Sequence, residues 1–211
     1  MTLPADAKPP SRHELRKIET RGRLLAAART LLARQGVDAT RINEITDEAD
    51  VGFGSFYNYF ESKTAIAAAV AEAVADELGK AITASTTDVA DAAEVLAIAH
   101  RTIIERAAED PDIGWLMVRL EISHDLVSTA LGPYVLRDLQ RGIDDGRFTI
   151  HDTAATLIAL GGALLGVVRA VLQGRAGPNA AAEHAIVVLQ LLGVPLDDAI
   201  AVAERPLPPG G

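Results

Sequence analysis

The sequence contains no cysteine, and aromatic residues make up only 4% of the chain. Without cysteine it can form no disulfide, no thiolate nucleophile and no cysteine-based zinc site. Few aromatic residues, together with abundant alanine and leucine, favour helices over a β-sheet. No stretch of strand length alternates between apolar and polar residues. We therefore expect an all-α protein.

Signals for export, membrane insertion or catalysis are also missing. The longest uncharged apolar run, 153–168, is shorter than the about 20 residues that cross a bilayer, and the N-terminus does not resemble a secretory signal. No Walker lysine, complete dinucleotide fingerprint, zinc-protease motif or nucleophile elbow occurs. The five histidines are scattered without metal spacing. We expect a soluble cytoplasmic protein that is not an enzyme and needs neither metal nor cofactor.

The formal net charge of −9 argues against nucleic acid as a partner, but the charge is unevenly distributed. Residues 1–63 hold ten basic and nine acidic side chains, whereas residues 64–211 hold ten basic and 20 acidic ones. Any contact with nucleic acid should therefore come from the N-terminal part. Its basic start, with Arg12, Arg16 and Lys17, is either a solvated arm or a contact to the DNA backbone or minor groove.

Three helices are predicted in the N-terminal part. Apolar residues recur on one face of a helix over 19–35, which Gly36 should end. Thr40 is expected to cap a second short helix, with Asn43 rather than glutamate at the capping-box position. Asp50 then turns the chain into a third short helix over 53–59. Two short helices joined in this way form a helix-turn-helix.

The third helix has the properties of a recognition helix. Phe56 and Phe60 share a face that packs inward, while Gly54 and Asn58 point away and Ser55 and Tyr57 flank them. A small or polar outer face suits the major groove, where such a helix reads bases near its N-terminus. The hydroxyl of Tyr57 and the ammonium of Lys63 suit phosphates. The candidate DNA-contacting residues are Arg16, Thr40, Arg41, Gly52, Phe53, Gly54, Ser55, Tyr57, Asn58 and Lys63. Phe53 either packs on a thymine methyl or folds back beside Phe60.

This segment resembles the TetR family of transcription regulators. The matching residues are Thr40, Ile45, Ala49-Asp50-Val51-Gly52, Ser55-Phe56-Tyr57-Asn58-Tyr59-Phe60 and Ser62-Lys63. Two positions depart from the family pattern, because Asp50 replaces a glycine and Gly52 replaces a Ser/Thr cap, and these changes put the operator preference in doubt. Beyond the first 63 residues the chain matches the family only in length, helicity and helix order.

Composition, helix pattern and the resemblance together predict four segments. A flexible basic arm (1–12) precedes a helix-turn-helix domain (13–63), an effector-binding and dimerisation domain (64–204) and a tail (205–211). Caps, breaks and periodicity predict helices in the third segment at 63–80, 88–109, 111–125, 133–145, 152–173, 179–192 and 197–204.

Two of these helices are apolar enough to need covering on more than one side. Residues 153–168 are apolar almost all round, and 179–192 carry a broad apolar face. They form either the core of one subunit or, as the resemblance implies, a four-helix interface with their symmetry mates in a homodimer. The candidate interface residues are Leu164, Val168, Ile186, Val187 and Leu191.

An effector site is implied by the resemblance rather than by any motif. Histidines on apolar helix faces are more often hydrogen-bonded core residues than ligands. If the middle helices line a pocket, its candidate residues are His100, Trp115, Arg119, His124 and Tyr134, and a mostly apolar wall suggests a hydrophobic or aromatic effector. We expect a repressor that the effector releases from palindromic operator DNA; alternatives are an activator of the same fold and a helical adaptor that does not bind DNA.

Overall fold

A computed structural model describes residues 11–120 and 132–208, and every element in these ranges is an α-helix. The all-α expectation is confirmed. The helices are α1 (Arg12–Ala39), α2 (Ile42–Glu48), α3 (Phe53–Phe56), α4 (Lys63–Thr86), α5 (Ala92–Glu109), α6 (Pro111–Arg119), α7 (Gly132–Asp144), α8 (Thr153–Leu172), α9 (Ala180–Leu191) and α10 (Leu196–Ala203).

Helix α1 begins at Arg12, seven residues before the predicted start at residue 19. Ser11 and Glu14 form a capping box, in which the Ser11 hydroxyl accepts from the Glu14 N–H (3.3 Å) and the Ser11 N–H donates to Glu14 Oε2 (2.6 Å). The prediction that Arg12 belongs to a flexible arm is therefore wrong. Arg16 and Lys17 likewise lie on an exposed helix. The remainder of the predicted arm, residues 1–10, lies outside the described residues.

The chain bends sharply between α1 and α2. Gly36 has φ 78° and ψ 178°, a conformation that glycine adopts without strain, so the predicted helix break is present there. Thr40 does not cap α2, because its side chain is buried and its hydroxyl donates to the Gly36 carbonyl at 2.6 Å. The capping residue is Arg41, whose N–H donates to Glu44 Oε2 at 2.8 Å. The capping-box position is therefore Glu44, one residue after the Asn43 that the sequence analysis placed there.

Helices α4 to α6 differ in length from the predictions. Ser62 caps α4 as predicted, accepting from the Ala65 N–H at 3.0 Å, but the helix runs to Thr86 instead of ending at residue 80. Helix α5 begins at Ala92 because Asp91, not Asp88, caps it. Helix α6 ends at Arg119, and the predicted continuation over 121–125 lies outside the described residues.

One continuous core joins the first three helices to the rest of the molecule. Leu24, Leu32, Ile45 and Phe56 are fully buried in it, and the same cluster continues into α4, α6 and α8. Helix α1 packs against both α4 and α6. A second cluster lies among α5, α7, α8, α9 and α10. Because the N-terminal helices share their core with α4 and α6, a movement of those helices acts directly on α1.

Helix α8 is the one helix of the described residues that is long and apolar enough to cross a membrane by length and composition. Its side chains are almost all apolar, and few of them are buried within the chain. A helix this apolar and this exposed needs a covering surface, which a second copy of the chain could provide.

Candidate DNA interface and effector cavity

The outer surface of α3 is open to solvent. Gly54 and Asn58 are exposed and Ser55 is half-buried, while Phe56 and Phe60 are buried. This is the division between outer and inner faces that the sequence predicts. The helix itself is shorter than predicted, since it ends at Phe56 and the chain continues in turns through residue 59.

An exposed aromatic pair flanks this surface. The ring of Phe53 meets the ring of Tyr57 edge-on, with 5.9 Å between centroids, and about half of each side chain is exposed (53% and 52%). Phe53 therefore lies with Tyr57 on the outer side of α3 instead of folding into the core beside Phe60. Of the two placements left open by the sequence, the structure has the exposed one.

The turn between α2 and α3 is held by a contact from α1. Asp50 has a positive φ of 50°, and the guanidinium of Arg23 donates to both its carbonyl oxygen (2.7 Å) and its carboxylate (3.1 Å). Asp50 thus adopts the turn conformation expected of it in place of the family glycine. The sequence gives no signal for the Arg23 contact, because 27 residues separate the partners.

The three cations predicted to contact DNA lie on α1, at the N-cap of α2 and at the start of α4. Arg16 and Arg41 are exposed. Lys63, at the start of α4, donates one of its three N–H groups to the Asp38 carbonyl at 3.1 Å, which leaves two for another acceptor. The side chain of Thr40 is not available to DNA, because it is buried and its hydroxyl donates to the Gly36 carbonyl.

A cavity of about 590 Å³ lies among α4, α5, α7 and α8, with Met117 of α6 also in its wall. Most of the wall is apolar, formed by residues such as Leu78, Ile82, Leu96, Ile103 and Leu160. The polar side chains in it include those of Thr83, His100, Arg137 and Asp138. A cavity of this size, mostly apolar with a few polar groups, is typical of a small-molecule site.

Only part of the predicted pocket set reaches this cavity. His100 lines it, as predicted. Trp115 and Arg119 do not: the Arg119 guanidinium donates to the Ala33 carbonyl of α1 (2.7 Å) and stacks over the Trp115 ring at 4.7 Å. The prediction that these two residues line the cavity is therefore wrong. Their contact joins α6 to α1 instead. His124 lies outside the described residues, as does the side chain of Tyr134 on α7.

The histidine in the cavity wall has a partner that the sequence analysis missed. His100 Nδ1 lies 3.0 Å from Nε2 of His184 on α9, and both side chains are buried. Burial lowers the pKa of His100 to about 3, with a further contribution from His184, and burial lowers the pKa of His184 to about 4. Both rings are therefore neutral at neutral pH.

The predicted dimer residues fall into two groups. Val187 and Leu191 on α9 are about half exposed (51% each) and free to meet a second copy. Val168 is fully buried, Leu164 lines the cavity, and Ile186 packs on the second core cluster. Val168 is enclosed by its own subunit, so its side chain does not reach a partner, whereas Leu164 and Ile186 are only partly buried and their place in an interface stays a prediction. On α8 the exposed side instead carries Ile158, Gly162 and Gly166.

A head of three helices (α1–α3) with an open outer face, and a body (α4–α10) that holds a cavity, define a DNA-binding transcription regulator with a helix-turn-helix. The family model of bacterial regulatory proteins of the tetR family matches residues 24–70. The model of the tetracyclin repressor-like C-terminal domain matches residues 91–205. The chain belongs to the TetR family.

Solved structures agree with this assignment. The regulator RolR in complex with resorcinol is 34% identical, with a TM-score of 0.75, and the match covers 93% of this chain and 99% of RolR. The ligand-free form of RolR matches with a TM-score of 0.73. The fatty acid degradation regulator FadR from Bacillus halodurans shares the fold at 20% identity, with a TM-score of 0.65 over 89% of this chain and 96% of FadR. No curated protein sequence matches the chain.

Proposed function

We propose that the protein is a cytoplasmic, non-enzymatic repressor that binds a near-palindromic operator as a homodimer and leaves it when a small aromatic effector occupies the cavity. The observation that carries this proposal is the open outer face of residues 53–60, which comprise α3 and the turn after it: Gly54 and Asn58 are exposed there while Phe56 and Phe60 are buried. Two such helices, about 34 Å apart in a dimer, would enter successive major grooves.

Bases and backbone would be contacted by different residues. The exposed Phe53 ring and the half-buried Ser55 lie in α3, and the exposed Asn58 lies in the turn that follows it. These side chains would read base edges and thymine methyls. Tyr57 and Lys63 would bind phosphates, as would Arg16 of α1 and Arg41 at the N-cap of α2. Gly52 and Gly54 have no side chain and so allow the backbone to approach the groove closely.

The dimer would bury the exposed apolar sides of α8 and α9. Ile158, Val187 and Leu191 are large apolar residues that a monomer leaves in water. Gly162 and Gly166 follow Ile158 at intervals of four residues on the exposed side of α8. A Cβ built on either glycine meets no atom within 4 Å, so a second helix could approach there. Such a surface is self-complementary in a two-fold dimer.

The effector class follows from the cavity and from RolR. The RolR structure contains resorcinol, a one-ring diol. The cavity of this chain offers a mostly apolar wall whose polar side chains include His100, Arg137 and Asp138, with Glu72, Asp76 and Lys80 of α4 also lining it. An aromatic ring bearing hydroxyl groups fits both properties, because the ring buries its faces against the wall while the hydroxyls find polar partners.

Release of the protein from its operator would follow from the contacts that α4 and α6 make with α1. Both helices pack against α1, and Arg29 of α1 pairs at 3.1 Å with both Glu77 of α4 and Asp110 beside α6. An effector in the cavity contacts α4 directly. We expect the effector to prefer a conformation in which the two heads of the dimer are spaced differently. Its binding then lowers the affinity for the operator by the factor by which the operator lowers the affinity for the effector.

Selection of bound duplexes from a random library tests the DNA-binding part of the proposal. The selected sites should be two-fold symmetric, and fluorescence anisotropy on one of them should show release upon titration with resorcinol. Recovery of symmetric sites without release would contradict the effector class alone. Tighter operator binding with ligand would instead favour an activator.

A further inference from the structure

Two buried imidazoles from distant parts of the chain meet at the cavity wall. His100 of α5 and His184 of α9 are joined by the 3.0 Å contact between Nδ1 and Nε2, with the rings tilted by 35° and their centroids 5.2 Å apart. His100 also lines the cavity. Because His184 takes Nδ1, the ring nitrogen of His100 that remains for a molecule in the cavity is Nε2.

The direction of the hydrogen bond between the two rings determines whether Nε2 of His100 donates or accepts. A contact of this kind needs one proton between its two nitrogens, and a neutral imidazole carries one N–H in total. If His100 Nδ1 donates, His100 Nε2 is bare and accepts a hydrogen bond from the cavity. If His184 Nε2 donates, His100 Nδ1 accepts and the proton of His100 sits on Nε2, which then donates. Both arrangements leave the pair uncharged.

The surroundings favour a neutral ligand. Burial keeps both imidazoles in the neutral form, with one N–H each, at neutral pH. The pair therefore supplies no positive charge for a carboxylate or phenolate. Two pairs of charged side chains in the same wall neutralise each other, since Asp138 accepts from the Arg137 guanidinium at 3.2 Å and Asp76 accepts from the Lys80 ammonium at 2.6 Å. The carboxylate of Glu72, which also lines the cavity, disfavours an anionic ligand. A hydroxyl group, which both donates and accepts, can bond to either arrangement of the histidine pair.

We propose that the His100–His184 pair is the hydrogen-bonding anchor of the cavity, and that it selects neutral, hydroxyl-bearing aromatic ligands over isosteric apolar ones. This rests on the proposed function, since it assumes that the cavity binds the effector. His100 touches the ligand through Nε2, while His184 is a positioning residue that fixes the ring of His100 and sets its tautomer.

Calorimetry with two probes, resorcinol and m-xylene, separates an anchor from a structural bridge between α5 and α9. m-Xylene has methyl groups where resorcinol has hydroxyls. His100→Leu should weaken resorcinol binding about 3- to 10-fold and leave m-xylene unchanged or tighter, which is the range of one lost hydrogen bond. His184→Leu should act in the same direction, and His184→Gln should restore the preference for resorcinol because an amide can also donate or accept. Met117→Leu, another change in the wall, should affect both probes alike.

Equal weakening of both probes in His100→Leu, or an unchanged ratio of the two affinities, would overturn the anchor. If the wild-type protein binds m-xylene but not resorcinol, the anchor fails while the cavity remains a ligand site. If it binds neither, the proposed effector class fails as well.

Imidazole ¹⁵N spectra of the wild-type protein give a second test that needs no substitution. The anchor predicts one protonated nitrogen on each of the two rings, and a change in the Nε2 signal of His100 upon addition of resorcinol. Resorcinol binding with no change in that signal would contradict the inference.

Discussion

The guanidinium of Arg119, at the end of α6, donates to the carbonyl oxygen of Ala33 in α1 at 2.7 Å while it stacks on the ring of Trp115. This contact fixes the helix of the head to a helix of the body, and α6 also contributes Met117 to the cavity wall. The cavity wall and α1 of the helix-turn-helix part are therefore connected through one short helix.

Replacing Arg119 should reduce the coupling between ligand and operator. Arg119→Ala removes the bond to Ala33, so ligand binding should shift operator affinity several-fold less than in the wild type, and the free energy of unfolding should fall by about 1 kcal/mol. Operator titrations with and without ligand measure the shift. Arg106→Ala is the control, because Arg106 pairs only with Glu109 on its own helix in the described contacts. Undiminished coupling in Arg119→Ala would argue against a role for this contact.

Two kinds of substitution in the head should have different effects on DNA. Asn58→Ala should weaken the selected operator by about 1–3 kcal/mol and affect random duplex little, because base contacts carry the sequence preference. Lys63→Ala and Tyr57→Phe should weaken both duplexes alike, and Lys63→Ala should reduce the salt dependence of binding by about one charge. Anisotropy at several salt concentrations distinguishes them. Equal losses on both duplexes for Asn58→Ala would remove it from the base-reading set.

The positive φ of Asp50 predicts how the turn responds to substitution. Asp50→Val should lower the free energy of unfolding by more than about 1 kcal/mol, because a β-branched residue is strained at this φ and the bond from Arg23 to the carboxylate is lost. Asp50→Gly removes the same bond but relieves the backbone, so it should lie nearer the wild type. Denaturant unfolding measures both variants. If valine and glycine had the same effect, backbone strain would not be the cause.

The buried histidine pair should make stability depend on pH. Burial holds the pKa of His100 at about 3 and that of His184 at about 4, below the ordinary value of 6.5, so the unfolded chain takes up protons first as the pH falls. Above pH 6.5 the pair makes no pH-dependent contribution. Below pH 6.5 the free energy of unfolding falls, down to about pH 4 for His184 and about pH 3 for His100, by up to about 1.4 kcal/mol per pH unit for each ring. Denaturant unfolding at pH 7.5 and 5 should show a smaller loss for a His100→Gln, His184→Gln double variant. An equal loss in both proteins would contradict this.

Disruption of the exposed face of α9 should separate the protomers. Leu191→Glu places a charge where the dimer would bury an apolar side chain, so analytical ultracentrifugation should show a shift toward monomer, with weaker operator binding. Leu196→Glu on α10 is the matched control, since Leu196 is exposed to the same extent, 51%. A monomer in Leu196→Glu and a dimer in Leu191→Glu would place the interface elsewhere.

Local signals in the sequence predicted most of the fold. The break at Gly36, the Ser62 cap and the proline at the start of α6 each depend on residues within one turn of the helix end. The start of α1 could have been read from Ser11 and Glu14, which have capping-box spacing. The outer face of α3 followed from the period of its aromatic residues.

Contacts between distant residues could not be predicted in the same way. Periodicity identified the apolar faces containing His100 and Val168 but not the helices that cover them. His184 lies 84 residues from His100, and Ala33 lies 86 residues from Arg119, so no local pattern relates the partners. For the same reason, Trp115 was assigned to the pocket although it packs beside α1.

Binding of the purified protein to duplex DNA as a function of salt tests the central claim most directly. For a duplex selected from a random library, the account predicts a two-fold symmetric site and an affinity that falls steeply as salt rises, since each head neutralises several phosphates. The affinity for unrelated duplex should be lower by about a thousandfold or more. No binding to any duplex at low salt, or equal binding to all of them, would contradict the claim that α3 reads DNA.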